Sequence, residues 1–227
     1  MYKIKRKSNG VVDRFKARLV AKGFEQTSGI DYTETFNPII KRSTIRIILA
    51  LAVHFNWVIR QSNISNAFLH GSLNEEVYME QLKGFVDKEN PKMVCKMQNK
   101  IYGLKQASRA WFHRLSCYLL DIGFIAFLVD TSLFIFITGN IKVFMLIYVD
   151  DIIIRGTHPQ LITKIVGLMQ KEIPVKDLGS LSFFLGIQVT RSSIGLHLCQ
   201  AKYVTNILNN TKMTATKPTK SLCLSGS

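Results

Sequence analysis

Acidic residues are scarce in this chain. Its 227 residues include 15 Asp and Glu against 30 Lys and Arg, a formal net charge of +15. That imbalance predicts a polyanionic partner, nucleic acid first and an anionic membrane surface second. Cysteine is sparse too. Cys95, Cys117, Cys199 and Cys223 are scattered with no Cys-x-x-Cys pair, so neither a disulfide framework nor a zinc site is suggested. A reducing compartment, cytoplasm or nucleus, is the default expectation. Long hydrophobic runs are missing. The longest are interrupted by Asp130 and Lys142 and are too short to span a bilayer, so no membrane segment is expected. The basic start, Met1 to Lys7, has no apolar stretch behind it and does not read as a secretory leader. No internal repeat is found. Hydrophobic residues are not lacking. At 47% they exclude a wholly disordered chain and suffice for one substantial core, or one domain with a lobe.

The chain is organised around Tyr148-Val149-Asp150-Asp151. Val143 to Ile147 precede it and Ile152 to Ile154 follow, short β-branched or aromatic runs that read as two buried strands. Two adjacent carboxylates between them belong at the tip of a hairpin. Unpaired buried charge is costly, so the pair must meet water or a cation, and a metal ion makes such a tip useful. A plain polar turn, in which Asp is common, reads the same way from this stretch alone.

Residues 1–24 are basic, and Ser8-Asn9-Gly10 signals a turn between two strands. The second strand is expected over Phe15–Ala21. There Lys16 and Arg18 share one face while Ala17, Leu19 and Ala21 take the other. A cationic strand face suits phosphates, though charge also defends an exposed edge strand. Residues 25–42 read as loop, and Ser43-Thr44 as the cap of a core helix running to Val53. Residues 72–100 hold five of the 15 acids, Glu75, Glu76, Glu80, Asp87 and Glu89, and two candidate paired strands, Tyr78–Glu80 and Met93–Met97. From Ser108, Trp111, Leu115, Tyr118, Leu119 and Ile122 recur at helical spacing until Gly123. Lys105, Gln106 and Arg109 gather at that helix's N-terminus, where free N–H groups favour anions. A helix over Pro159–Glu172 presents Leu161, Ile165, Leu168 and Met169. A hairpin pairs Ser182–Val189 with Leu196–Cys199 around Ser192-Ser193-Ile194-Gly195, a short helix follows over Ala201–Leu208, and the tail from Lys212 is expected to be disordered. Together these predict an α+β fold, an antiparallel sheet backed by helices on one side, with a second lobe.

Several motifs occur in one order: Lys16-Ala17-Arg18-Leu19-Val20-Ala21-Lys22-Gly23-Phe24, Gly29-Ile30-Asp31-Tyr32, Glu34-Thr35-Phe36-Asn37-Pro38, Asn66-Ala67-Phe68-Leu69-His70-Gly71, Glu76-Val77-Tyr78-Met79-Glu80, Tyr102-Gly103-Leu104-Lys105-Gln106-Ala107, Tyr148 to Ile154, Lys176-Asp177-Leu178-Gly179 and Phe184-Leu185-Gly186-Ile187. In order and spacing, over residues 2–210, the chain resembles a copia-type retrotransposon reverse transcriptase, a portion of a Pol polyprotein. The resemblance implies a right-hand polymerase of fingers (residues 2–60 and 72–100) and palm (61–71 and 101–181), with a primer-grip hairpin and the start of a thumb at 182–210. It implies RNA-directed DNA synthesis on a primed RNA or DNA template from deoxynucleoside triphosphates. A primer 3′-oxygen would attack the α-phosphate, helped by two Mg²⁺ ions (or Mn²⁺) about 4 Å apart. By the same resemblance Asp150 and Asp151 are metal ligands, and Lys16 and Arg18 meet the triphosphate. Phe68 excludes a ribose 2′-hydroxyl, Gln106 touches the incoming nucleotide and template, and Phe184, Leu185 and Gly186 hold the primer end. Association with other Pol parts is expected.

Two departures qualify this expectation. The resemblance calls for a first catalytic Asp five residues before Phe68, and that position holds Asn63. An amide oxygen has a similar shape but no charge. Losing about 3–5 kcal/mol of transition-state stabilisation slows a reaction roughly 10²–10⁴-fold. The chain also stops where a thumb, connection and ribonuclease H would follow. The expectation is polymerase architecture with impaired catalysis, the alternative being an inactive nucleic-acid-binding remnant.

Overall fold

A computed structural model describes residues 1–7, 10–71, 75–193 and 195–217. They fall into two compact units, Met1–Ser180 and a second from Leu181. Ser8 and Asn9 of the first expected turn, Ile194 of the second and the tail beyond Lys217 lie outside the described residues.

The first unit opens with a ribbon, β1 (Tyr2–Arg6) and β2 (Val12–Ala17). Then come α1 (Arg42–His54), β3 (Ile59–Ile64), the short pair β4 (Tyr78–Glu80) and β5 (Val94–Lys96), and α2 (Ala107–Asp121). Strands β6 (Ile125–Ala126), β7 (Leu133–Thr138), β8 (Ile141–Tyr148) and β9 (Asp151–Gly156) follow, then α3 (Pro159–Glu172) and β10 (Val175–Ser180). Six strands form one sheet in the order β10-β3-β9-β8-β7-β6, with every neighbouring pair antiparallel. An antiparallel sheet with helices matches the expected α+β class.

Alternation along the strands decides what covers each face. Ile152 and Ile154 of β9, with Met145 and Ile147 of β8, join Trp111, Leu115 and Leu119 of α2 and Ile162, Ile165 and Met169 of α3 in one core. Of the expected α3 stripe, Ile165 and Met169 are buried and Leu161 packs against the core, joined by Ile162 and Val166, whereas Leu168 is exposed. Arg155 points to the opposite face and is fully buried. Its Nη1 donates to the Ile48 carbonyl of α1, and its guanidinium carbon lies 4.1 Å from the Trp57 ring centroid. Helix α1 thus packs on the other side of the sheet, correcting the expectation of helices on one side only. Only Ile48 and Ala52 of α1 are buried. Ser43 and Thr44 do not cap it. The residue before the helix, Lys41, instead donates its N–H to Asp130 Oδ2 at 3.0 Å, a carboxylate 89 residues away.

Strand β2 ends at Ala17, earlier than expected, because the chain then turns onto another backbone. Ala21 N donates to the Tyr102 carbonyl at 2.7 Å, and Val20 bridges Tyr102. The crossing requires glycine: a Cβ on Gly103 would stand 2.1 Å from the Ala21 carbonyl oxygen, and one on Gly23 1.9 Å from that of Gly103.

The second unit holds β11 (Phe183–Phe184), β12 (Ile187–Arg191), β13 (Leu196–Cys199) and α4 (Ala201–Asn210). The expected single strand over Ser182–Val189 is two strands. Leu185 and Gly186, at φ +49° and +82°, form a two-residue turn between Phe184 and its register partner Ile187. Among the described residues, no helix is long and apolar enough to cross a membrane.

Candidate active site

Asp150 and Asp151 sit where the sequence predicts, at the β8–β9 hairpin. Tyr148 and Asp151 are register partners, so Val149 and Asp150 are the two loop residues. Val149 has φ +55°. A β-branched residue there is strained, at a cost of about 1–3 kcal/mol, and needs external support. Two elements grip the turn. Trp111 Nε1 of α2 donates to the Val149 carbonyl at 2.7 Å, and the Ile64 N–H at the end of β3 donates to the Asp150 carbonyl at 2.8 Å.

Because β3 lies between β10 and β9, one transverse row of the sheet carries Lys176, Asn63, Asp151 and Tyr148 on the same face. Asn63 is therefore beside the acids. Its Nδ2 donates to Asp151 Oδ1 at 3.1 Å. Burial pushes the Asp151 carboxyl above its ordinary range; the Asn63 bond opposes this and the Asp150 charge adds to it. Among the described residues, no three His, Cys, Asp or Glu side chains converge as a metal cluster. The donor set is two adjacent carboxylates, which suit a hard divalent cation. Beside them the Asn63 amide N–H points at Asp151.

The cationic side lies close enough for its charges to interact with the turn. Arg18 holds the Lys16 ammonium below its ordinary pKa, burial and the charges of Arg14 and Lys5 act the same way, and Asp150 opposes them. Arg18 stacks over Tyr102 at 5.2 Å, and Phe68 meets the same ring edge-on at 4.9 Å. Tyr102 thus joins the predicted Arg18 and Phe68, a role that its motif position alone did not reveal.

Gln106 is 1% exposed. Its Oε1 accepts from Gln26 Nε2 at 3.1 Å and its Nε2 donates to the Asp31 carbonyl at 2.9 Å. The neighbouring cations expected to favour anions are engaged within the protein. Lys105 Nζ donates to the Gln26 carbonyl at 3.1 Å, and Arg109 pairs with Glu34. Phe184, Leu185 and Gly186 occupy the β11–β12 turn of the second unit, with Phe184 buried. Sequence reading missed Trp111 as more than core, Lys176, Tyr102 and Gln26. Only Lys176, in step with Asn63 across a strand pair, had a signal that register prediction could have used.

The antiparallel sheet thus carries two adjacent carboxylates at a turn strained at Val149, within reach of the charges of the cationic ribbon. The family model described as reverse transcriptase (RNA-dependent DNA polymerase) matches residues 1–224. The chain belongs to the reverse transcriptase family, and its likeness is to copia-type Pol polyproteins of retrotransposons. It is 49% identical over 211 residues to the retrovirus-related Pol polyprotein from transposon RE1 of Arabidopsis thaliana, covering 93% of this chain and 14% of that protein. The corresponding polyprotein from transposon RE2 of the same plant is 48% identical over 211 residues, covering 93% and 14%. That from transposon TNT 1-94 of Nicotiana tabacum is 38% identical over 221 residues, covering 96% and 17%. The chain therefore spans well under a fifth of these relatives. No solved structure matches it.

Proposed function

We propose that the chain acts as the fingers and palm of a right-hand polymerase that extends a primer on an RNA or DNA template. Residues 2–60 and 72–100 serve as fingers, and residues 61–71 and 101–181 as palm. The hairpin and helix of residues 182–210 serve as primer grip and thumb start. The observation that carries the reading is the row Asn63–Asp151 with Asp150 at the adjoining tip.

Asp150 and Asp151 would hold the divalent cation, Mg²⁺ or Mn²⁺. When bound, such ions lower the charge on the attacking and leaving oxygens of phosphoryl transfer. The protein's own groups bind and orient. Lys16 and Arg18 neutralise the triphosphate. Phe68, backed by Tyr102, closes the space beside the sugar. Gln106 offers an amide hydrogen to the nucleotide, and Phe184, Leu185 and Gly186 steady the primer end.

Asn63 reduces this activity. It brings no charge to the ions and occupies one Asp151 oxygen with its N–H. That bond also favours a second reading, a protein that binds template–primer without extending it. Primer extension in Mg²⁺ and Mn²⁺ tests both. On the working-site reading, Asn63→Asp raises nucleotide incorporation roughly 10²–10⁴-fold, and Asp150→Asn abolishes it. An Asn63→Asp chain that binds primed template yet incorporates nothing sinks the polymerase reading in favour of the second.

A further inference from the structure

Gln26 lies in a stretch that the sequence presents only as loop, yet its side chain is bonded at both ends. The Lys105 backbone N–H is a donor that cannot be reversed, and it lies 2.8 Å from Gln26 Oε1. This fixes Oε1 as acceptor and Nε2 as donor. Gln26 Nε2 then faces Gln106 Oε1 at 3.1 Å, which in turn makes Gln106 Nε2 the donor to the Asp31 carbonyl at 2.9 Å. A lone amide can be turned end for end without a change of shape. Here two amides are set head to tail between two backbone groups, so reversing one breaks its end bond and the bond between them, and reversing both breaks both end bonds. The relay joins two segments, residues 26–31 and 105–106, with bonded residues 75 to 80 apart in the chain. It sits beside the glycine crossing of Gly23 and Gly103 that brings those segments together. Gln26 and Asp31 also line a cavity of about 560 Å³, while Gln106 stands behind them, 1% exposed.

A primary amide carries two N–H donors and one carbonyl oxygen. The oxygen of Gln106 and one of its hydrogens are committed inward, which leaves one N–H to offer a ligand. We infer that Gln26 is the positioning residue for Gln106, holding its amide so that a hydrogen rather than the oxygen meets an acceptor oxygen of the incoming deoxynucleoside triphosphate. This rests on the reading of Gln106 as a nucleotide contact. Without Gln26 the Gln106 amide keeps only the Asp31 carbonyl to hold it, and at the cost of that one bond it can turn and present its oxygen, which repels phosphate oxygens.

The test measures binding of the next matching dNTP to the full chain on a primer–template ended with a dideoxynucleotide, in Mg²⁺ and in Mn²⁺, so no turnover is needed. Gln26→Ala is expected to weaken dNTP binding about tenfold, in line with one lost hydrogen bond. Gln26→Glu keeps the acceptor for Lys105 but sets oxygen against Gln106 Oε1, and is expected to weaken it at least as much. Primer–template affinity stays unchanged in both. Gln26→Ala added to Gln106→Ala costs nothing further, because Gln26 acts through Gln106. If Gln106→Ala weakens dNTP binding but neither Gln26 variant does, the inference fails while the nucleotide role of Gln106 stands. If Gln106→Ala has no effect, that role fails and the inference with it, as both do if the parent chain takes up no dNTP. An equal loss of primer–template affinity in the Gln26 variants marks a general loosening of the fold and also overturns the inference.

Discussion

Trp111 shows how one side chain can serve core and chemistry together. Its ring is 1% exposed, yet its single donor reaches the Val149 carbonyl in the strained turn. Trp111→Phe keeps most of the packing and removes the donor. Leaving a buried carbonyl unserved costs about 1–3 kcal/mol, so the urea midpoint should fall by that equivalent. Mn²⁺ affinity, read by electron paramagnetic resonance, should fall with it. Unchanged Mn²⁺ affinity in a destabilised protein would confine Trp111 to packing. Arg155 presents the opposite case. It is fully buried, its Nε and Nη2 have no partner, and burial lowers its pKa to about 10. The folded chain therefore holds that proton less tightly than the unfolded one, and the charge destabilises the fold at all pH values below about 10, a cost relieved as pH climbs from there. The Ile48 carbonyl it serves lies inside α1, where the helical ladder already provides a partner. Arg155→Met should stabilise the protein by about 1–3 kcal/mol at neutral pH, a gain that shrinks above pH 10; a lower midpoint for the variant would mean that the ring contacts of Arg155 outweigh its burial.

Among the elements, the β1–β2 ribbon has the most lopsided charge. Its register sets Lys3 opposite Lys16 and Lys5 opposite Arg14, four cations on one face, with Tyr2, Ile4 and Phe15 on the other. Like charges directly opposite are destabilising, so a polyanion laid on this face both binds and relieves the ribbon. For Lys5→Gln, the slope of log affinity for primed template against log salt should be shallower by just under one unit. An unaltered slope would show that the ribbon does not touch phosphate. The elements also differ in how legible they were. Helices α2 and α3 and the β8–β9 hairpin carry strong periodicity, and the sequence places all three within a residue or two. The anchoring of the α1 start was illegible because the acceptor of the Lys41 N–H, Asp130, lies 89 residues away in the chain. The Leu185-Gly186 turn was masked because Leu rarely takes positive φ. The relay through Gln26 needs a backbone crossing that no local pattern encodes.

On the scale of the whole molecule, the family, the sheet class and the adjacency of Asn63 to the two acids were readable because motif order survives along the chain. The packing of α1 on the far face was not, since a single buried Arg gives no periodic signal. The strand order β10-β3-β9 carries a further consequence, for synthesis on the ribosome. β3 leaves the tunnel early, gains one neighbour only when β9 emerges and the other only when β10 does. Until Ser180 is clear, its outer margin stays bare and able to recruit another nascent chain. A chain released at Glu172 should therefore form soluble aggregates on size-exclusion chromatography, while one released at Ser180, only eight residues longer, should elute as a monomer.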